Sequence, residues 1–330
     1  MRMRRGPSAT DATSLSRWRR HCGGATDPRM TTLSPNTRGA LLMMGSMAAF
    51  TMGDACVKAI GEALPLSQIL VIRGSFASLF IALLAWRMGA LRMSVPRQDG
   101  WLMLLRSVAE VGSSYFFLTA LRHMPLANVT ALLQMLPLTL TLGSALVFRE
   151  PVGWRRWVSI GVGFIGMLLI VRPGTEGFTL YSVYALIAVA FVTVRDLATR
   201  RMSAAVPSLL VTLTSAIGVV IFAAAMSAGE PWQPLTPHLS WLLGGATACV
   251  IAGYTLSVLV MRIGDVSFIA PFRYTGLIFA LLLGLVLFGD WPKALTLIGA
   301  AIIVATGSFN LWRESQLRRR AVAQAKMRRT

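Results

Sequence analysis

The sequence predicts an all-α integral membrane fold: ten transmembrane helices arranged as two inverted five-helix repeats. Three observations carry that expectation. Apolar runs follow one another at close spacing from Arg38 to Trp312, and a helical crossing of the hydrocarbon core takes about 20 such residues. Hydrophobic residues make up 55% of the chain and charged residues 14%, against roughly 25% charged in ordinary soluble domains. The polar landmarks of the first half also recur, in order, about 140 residues later in the second.

The runs read as 39–61, 67–87, 101–121, 126–148, 154–171, 179–199, 206–227, 239–261, 266–288 and 294–312. The first carries Asp54 and Lys58 and the third carries Arg106 and Glu110, each pair at i,i+4 and so on one helix face. The second and ninth carry Arg73 and Arg273, with no acid within a helical turn. A charge at a helix centre is disfavoured by about 2.5–3.5 kcal/mol on insertion scales. Asp54, Arg73, Glu110 and Arg273 therefore face the protein interior, pair, or line a wet cavity. Asp54, Lys58 and Arg106 are candidates for structural or coupling ion pairs. Arg73 and Arg273 need a partner from another helix, a carbonyl, or an anionic ligand.

The fourth run carries Thr130, Gln134, Pro137 and Thr141 near one face, a stripe that suits either a cavity lining or an interhelical hydrogen bond. Tyr274, beside Arg273, aligns with Gln134. Gly161, Gly163 and Gly166 on the fifth run, with Gly299 and Gly307 on the tenth, read as close-packing positions. The candidate solute-binding residues are Arg73, Glu110, Gln134, Arg273 and Tyr274.

The chain holds 32 Lys and Arg against 13 Asp and Glu, a net charge of +19. Much of that excess lies in the two tails and in alternate loops, among them Arg87, Arg92, Arg97, Arg149, Arg155, Arg156, Arg195, Arg200, Arg201 and Arg262. Basic residues near span ends are retained on the cytoplasmic side, which puts both termini inside a bacterial-type inner membrane. The loop 228–237, with Glu230 and no Lys or Arg, then faces the periplasm. Residues 1–37 read as a disordered basic tail and 313–330 as a second basic tail, both drawn to anionic lipid. Met30 offers an alternative start. Nucleic acid is not expected, because no aromatic-interleaved basic patch accompanies the charge. His21, His123 and His238 read as solvated, and Cys22, Cys56 and Cys249 form no CxxC pair.

The repeat rests on ordered landmarks. Asp54, Lys58 and Pro65 recur as Asp196, Arg200 and Pro207; Phe148-Arg149-Glu150 recurs as Phe288-Gly289-Asp290. An odd number of crossings per half turns the second half over, so 38–172 and 179–312 form an inverted pair. Secondary transporters use that architecture, with the site between the halves near the midplane. No P-loop, HExxH or GxSxG is present, and GxGxxG occurs only inside the fifth run, where no strand precedes it. No enzyme activity, metal or cofactor is implied.

Several stretches resemble the drug/metabolite transporter superfamily, specifically proteins with two EamA-type domains. They are Met52-Gly53-Asp54 through Lys58, Met124-Pro125-Leu126-Ala127 with Pro137, Phe148-Arg149-Glu150 before Trp154-Arg155-Arg156-Trp157, and Val171-Arg172-Pro173-Gly174. In the second half they are Arg195-Asp196-Leu197 with Thr199-Arg200-Arg201, and Ala270-Pro271-Phe272-Arg273-Tyr274 leading to Phe288-Gly289-Asp290. The resemblance covers residues 38–312 and implies alternating-access transport of a small organic solute. Amino-acid and drug exporters and metabolite importers share the superfamily. The Pro-Phe-Arg-Tyr stretch is closest to its riboflavin and S-adenosylmethionine uptake branch. A non-transporting membrane protein that binds lipid or partners through its charged tails is the alternative, and a homodimer is left open.

Overall fold

The computed structural model describes residues 35–89, 96–149, 153–172, 179–203, 206–260 and 266–327. Glu150, Pro173, Gly174, Arg262 and the segment with His21, Cys22 and Met30 lie outside them. All regular structure among the described residues is helical: α1 Pro35–Ile60, α2 Leu66–Arg87, α3 Arg97–His123, α4 Leu126–Val147, α5 Trp154–Val171, α6 Leu180–Arg201, α7 Ser208–Ser227, α8 Pro237–Val260, α9 Val266–Phe288 and α10 Ala294–Met327. Nine of these are long and apolar enough to span a bilayer. The tenth, α3, has the length but carries Asp99, Arg106 and Glu110 in its sequence. The chain is an all-α integral membrane protein.

The lipid-facing surface is apolar: Leu79, Trp241 and Val286 are 66%, 80% and 76% exposed. Every described tryptophan is exposed, and all but Trp312, which lies within the long α10, are near a helix end. Trp86, Trp101, Trp154, Trp157 and Trp312 mark one end; Trp232, Trp241 and Trp291 mark the other. Indole rings favour the headgroup level, so these are the two aromatic belts of a spanning bundle.

Sequence punctuation sets the helix boundaries. Pro65, Pro96, Pro125 and Pro207 stand just before α2, α3, α4 and α7, where a fixed φ helps and no N–H is missed. The α4 helix breaks between Leu133 and Leu136, because Pro137 cannot donate to the carbonyl four residues back and its ring crowds it. In α9 the stretch Ala270–Tyr274, with Pro271 at its start, tightens to a 3₁₀ helix. Residues 313–327, read from sequence as tail, continue α10.

The longest pairings are α1 with α8, α3 with α6, α5 with α10 and α2 with α7. Exchanging each helix for the one five places on maps α1–α8 onto α6–α3 and α1–α9 onto α6–α4. The same exchange maps α3–α7 onto α8–α2 and returns α2–α7 and α5–α10 to themselves. Local details follow the same exchange. Lys58 lies over the Phe288 ring at 5.3 Å, and Arg200, its counterpart, lies over Phe148 at 5.8 Å. Arg149 and Gly289 occupy matching positions after α4 and α9, and both take a left-handed backbone, φ 52° and 66°. Glycine adopts that conformation freely and arginine at a cost.

Candidate functional site

A polar cavity of about 290 Å³ opens between α2, α3, α6, α7 and α8, with Arg73, Arg106, Glu110, Arg195, Asp196 and Tyr254 in its wall. The wall runs from Leu70 and Phe117 to Ile81, Thr199 and Thr212. Those last residues lie toward the bundle end formed by the α2 and α6 C-termini and the α3 and α7 N-termini. Tyr254 lines the cavity and is 38% exposed.

Arg195 organises the charged wall. Its Nη1 meets Glu110 Oε2 at 3.3 Å, and its Nε donates to Asp196 Oδ1 at 2.8 Å. Arg106 donates from Nε to Thr199 Oγ1 at 2.9 Å, and from Nη1 to the Val211 carbonyl at 3.2 Å and to Ser215 Oγ. The expected Arg106–Glu110 ion pair is therefore replaced. A shared helix face puts the two side chains on one side of α3, but α6 packs along that side and supplies a guanidinium that holds Glu110. Arg106 turns instead to acceptors on α6 and α7.

The expected Asp54–Lys58 pair is also replaced. Lys58 Nζ donates to the Met124 carbonyl at 2.7 Å, across the α3–α4 junction. Asp54 lies near Arg73 on α2 without closing to an ion pair. Arg73 makes no hydrogen bond or ion pair among the described residues, and its Nη1 is buried without an acceptor.

Gln134, Arg273 and Tyr274 do not line this cavity. They meet where the interrupted parts of α4 and α9 approach each other, with Gln134 Nε2 3.5 Å from the Arg273 carbonyl. Tyr274 is buried with its hydroxyl unpartnered and its ring against Gly307. The Thr141 hydroxyl turns back onto its own helix, to the Pro137 carbonyl at 2.8 Å. The candidate residues thus divide into two groups.

Arg195, expected among the loop cations, lies instead within α6 and faces α3. Its place beside Asp196 inside the apolar run 179–199 is the signal that the sequence offers. At the opposite end of the bundle, neighbouring segments are linked by contacts that no sequence motif announces. Gln68, 1% exposed, accepts from the Gln233 N–H at 3.0 Å and donates to the Gln233 carbonyl at 2.9 Å, as a strand partner would. Beside it Ser67 donates to Glu230 at 2.6 Å, and Arg122 reaches the Leu64 carbonyl at 3.1 Å. His123, read as solvated, stacks on Tyr181 at 3.9 Å and meets Glu62 at 3.5 Å.

A helical membrane bundle with a charged cavity among its helices is an arrangement that membrane transporters use. Residues 37–172 match the EamA-like transporter family. The chain is 28% identical over 288 residues to a riboflavin transporter of Vibrio cholerae, covering 86% of this chain and 96% of that one. It is 26% identical over 269 residues to the pseudopaline exporter CntI of Pseudomonas aeruginosa, covering 81% and 93%. It is 23% identical over 276 residues to an S-adenosylmethionine uptake transporter of Rickettsia felis, covering 82% and 91%. A solved crystal structure at 19% identity shares the fold with a TM-score of 0.57, covering 84% of this chain and 97% of that one.

Proposed function

We propose that this protein is an inner-membrane secondary transporter that moves a small organic solute by alternating access. Two five-helix repeats, 38–172 and 179–312, form its halves. One observation carries the reading: the cavity is walled by α2 and α3, which belong to the first proposed half, and by α6, α7 and α8, which belong to the second. A packed interior with all charges mutually neutralised would have favoured a non-transporting, tail-binding protein. The pairing of helices under the five-place exchange supports two halves that can trade conformations at similar energy. Arg73, Arg106, Glu110, Arg195 and Tyr254 line the solute path in this conformation. Arg273 and Gln134 lie at the helix breaks that move between states.

The relatives make riboflavin and S-adenosylmethionine candidates for uptake and pseudopaline a candidate for export, and the family resemblance adds amino acids and drugs to the export candidates. Comparing metabolite pools in cells lacking and overproducing the protein tests this. One small organic solute should change in opposite directions in the two strains, naming both cargo and direction. Identical pools, with the protein present in the membrane, would sink the transporter reading.

Both termini are cytoplasmic in this reading, so the cavity opens inward and the Gln68–Gln233 end is the closed periplasmic side. Gln233 is an exposed side chain. In a chain without its native cysteines, Gln233→Cys should react with an impermeant thiol reagent in intact cells. Labelling only after permeabilisation would reverse the orientation.

A further inference from the structure

The charges in the cavity wall do not cancel, and the way they fail to cancel points to a solute class. Glu110 and Asp196 are the acids in the wall, and Arg195 engages both. Arg106 is held by neutral acceptors alone: a threonine, a serine and a main-chain carbonyl. Arg73 has no hydrogen bond or ion pair among the described residues, and one of its buried donors has no acceptor. Three guanidinium groups thus face the cavity against two carboxylates, which leaves one positive charge uncompensated in the wall. Asp54 is near Arg73 but is not part of the wall and makes no ion pair with it. Guanidinium stays charged and offers five N–H donors in a fork that matches carboxylate or phosphate oxygens. Apart from the hydroxyls of Ser114, Thr199, Thr212 and Ser215, the rest of the wall is apolar or aromatic, with Ile81, Phe117, Val219 and Val250 alongside Tyr254.

We infer that the cavity takes an organic anion, its acid group held by Arg73 and Arg106 and its apolar body lying against Phe117 and Tyr254. This inference rests on the transporter reading above. A cationic solute would meet Arg73 in a wall whose two carboxylates, Glu110 and Asp196, are already engaged by Arg195. A fully apolar solute would leave the donors of Arg73 without acceptors.

The test uses charge-selective labelling, so the cargo need not be known. Cys22, Cys56 and Cys249 are replaced by serine in the full chain, Ser114→Cys is added on the cavity wall, and the protein is purified in detergent. Its reaction rates with sulfonatoethyl and trimethylammonioethyl methanethiosulfonate are each divided by the rate of free cysteine. The anionic reagent should be favoured by about tenfold or more, as a focused positive potential requires. Arg73→Gln should remove most of that preference and Arg73→Lys should keep it. A preference for the cationic reagent, or one that Arg73→Gln leaves unchanged, overturns the organic-anion inference while leaving the transporter reading standing. No reaction with either reagent, in monodisperse protein, removes the cavity and both readings with it. If Arg73→Gln does not fold, the preference measured with Arg73 in place still decides the sign.

Discussion

Replacing Arg195 by glutamine should abolish transport and also lower stability by about 3 kcal/mol, the low end of the range for breaking a buried ion pair by removing one partner. The low end is appropriate because the three side chains are 15–28% exposed to the cavity. The loss comes from what remains. Glu110 and Asp196 would face each other's charge across the α3–α6 contact with no cation between them, in a bundle surrounded by hydrocarbon. Arg195→Lys should recover only part of the stability, since a single ammonium cannot present separate donors to two carboxylates in fixed directions. The double change Arg195→Gln with Glu110→Gln should recover more stability than Arg195→Gln alone but not transport. Thermal unfolding of the purified protein, set beside solute movement in proteoliposomes, reads both effects. An Arg195→Gln protein that melts and transports like the unaltered one would show the wall charges to be incidental.

Gly299→Leu should prevent accumulation of folded protein. A Cβ at Gly299 would run into the Gly166 carbonyl and lie 2.9 Å from Ile170 Cγ1; one at Gly166 would lie 2.8 Å from the Gly299 carbonyl. The backbones of α5 and α10 touch here, so no side chain can swing aside. Overpacking usually costs about 1–3 kcal/mol, and a main-chain clash across a whole helix pair exceeds that. Lipid supplies no hydrophobic force to hold the helices together once close packing is lost. Gly161 provides the control on α5, because a Cβ there meets nothing within 4 Å. Gly161→Leu should express and melt normally. Equal yields and melting temperatures for Gly161→Leu and Gly299→Leu would remove the argument for a fixed α5–α10 contact.

The glycines show how far sequence carries. Their spacing marks α5 and α10 as helices able to approach closely, and Gly166 and Gly299 do so. Gly161, grouped with them, faces open space. Which small residue meets a neighbour depends on the rotation of each helix, and an apolar helix in lipid has no polar face to fix that rotation in advance. The ion pairs show the same limit. Spacing at i,i+4 places Arg106 with Glu110 and Asp54 with Lys58 on shared faces, and that placement is sound. It gives no information about α6, whose Arg195 competes for Glu110, or about the Met124 carbonyl, which takes Lys58.

The sequence alone determined that the chain crosses the membrane repeatedly as helices, because the bilayer leaves backbone polar groups no partner outside a helix or closed barrel. Run length and proline position then placed the ends of those helices within a few residues, except at the C-terminus, where α10 runs on through residues 313–327. It also determined that a few charges lie at mid-membrane and that the two halves carry matching landmarks in matching order. The tertiary structure decided which charges meet. It gathered Arg73, Arg106, Glu110 and Arg195 from three helices around one cavity, and it set Gln134, Arg273 and Tyr274 at a separate junction. The physical reason is that a charge in lipid must find compensation but is indifferent to its source. A helix sequence therefore specifies the need for a partner, while the packing of the other helices specifies the partner.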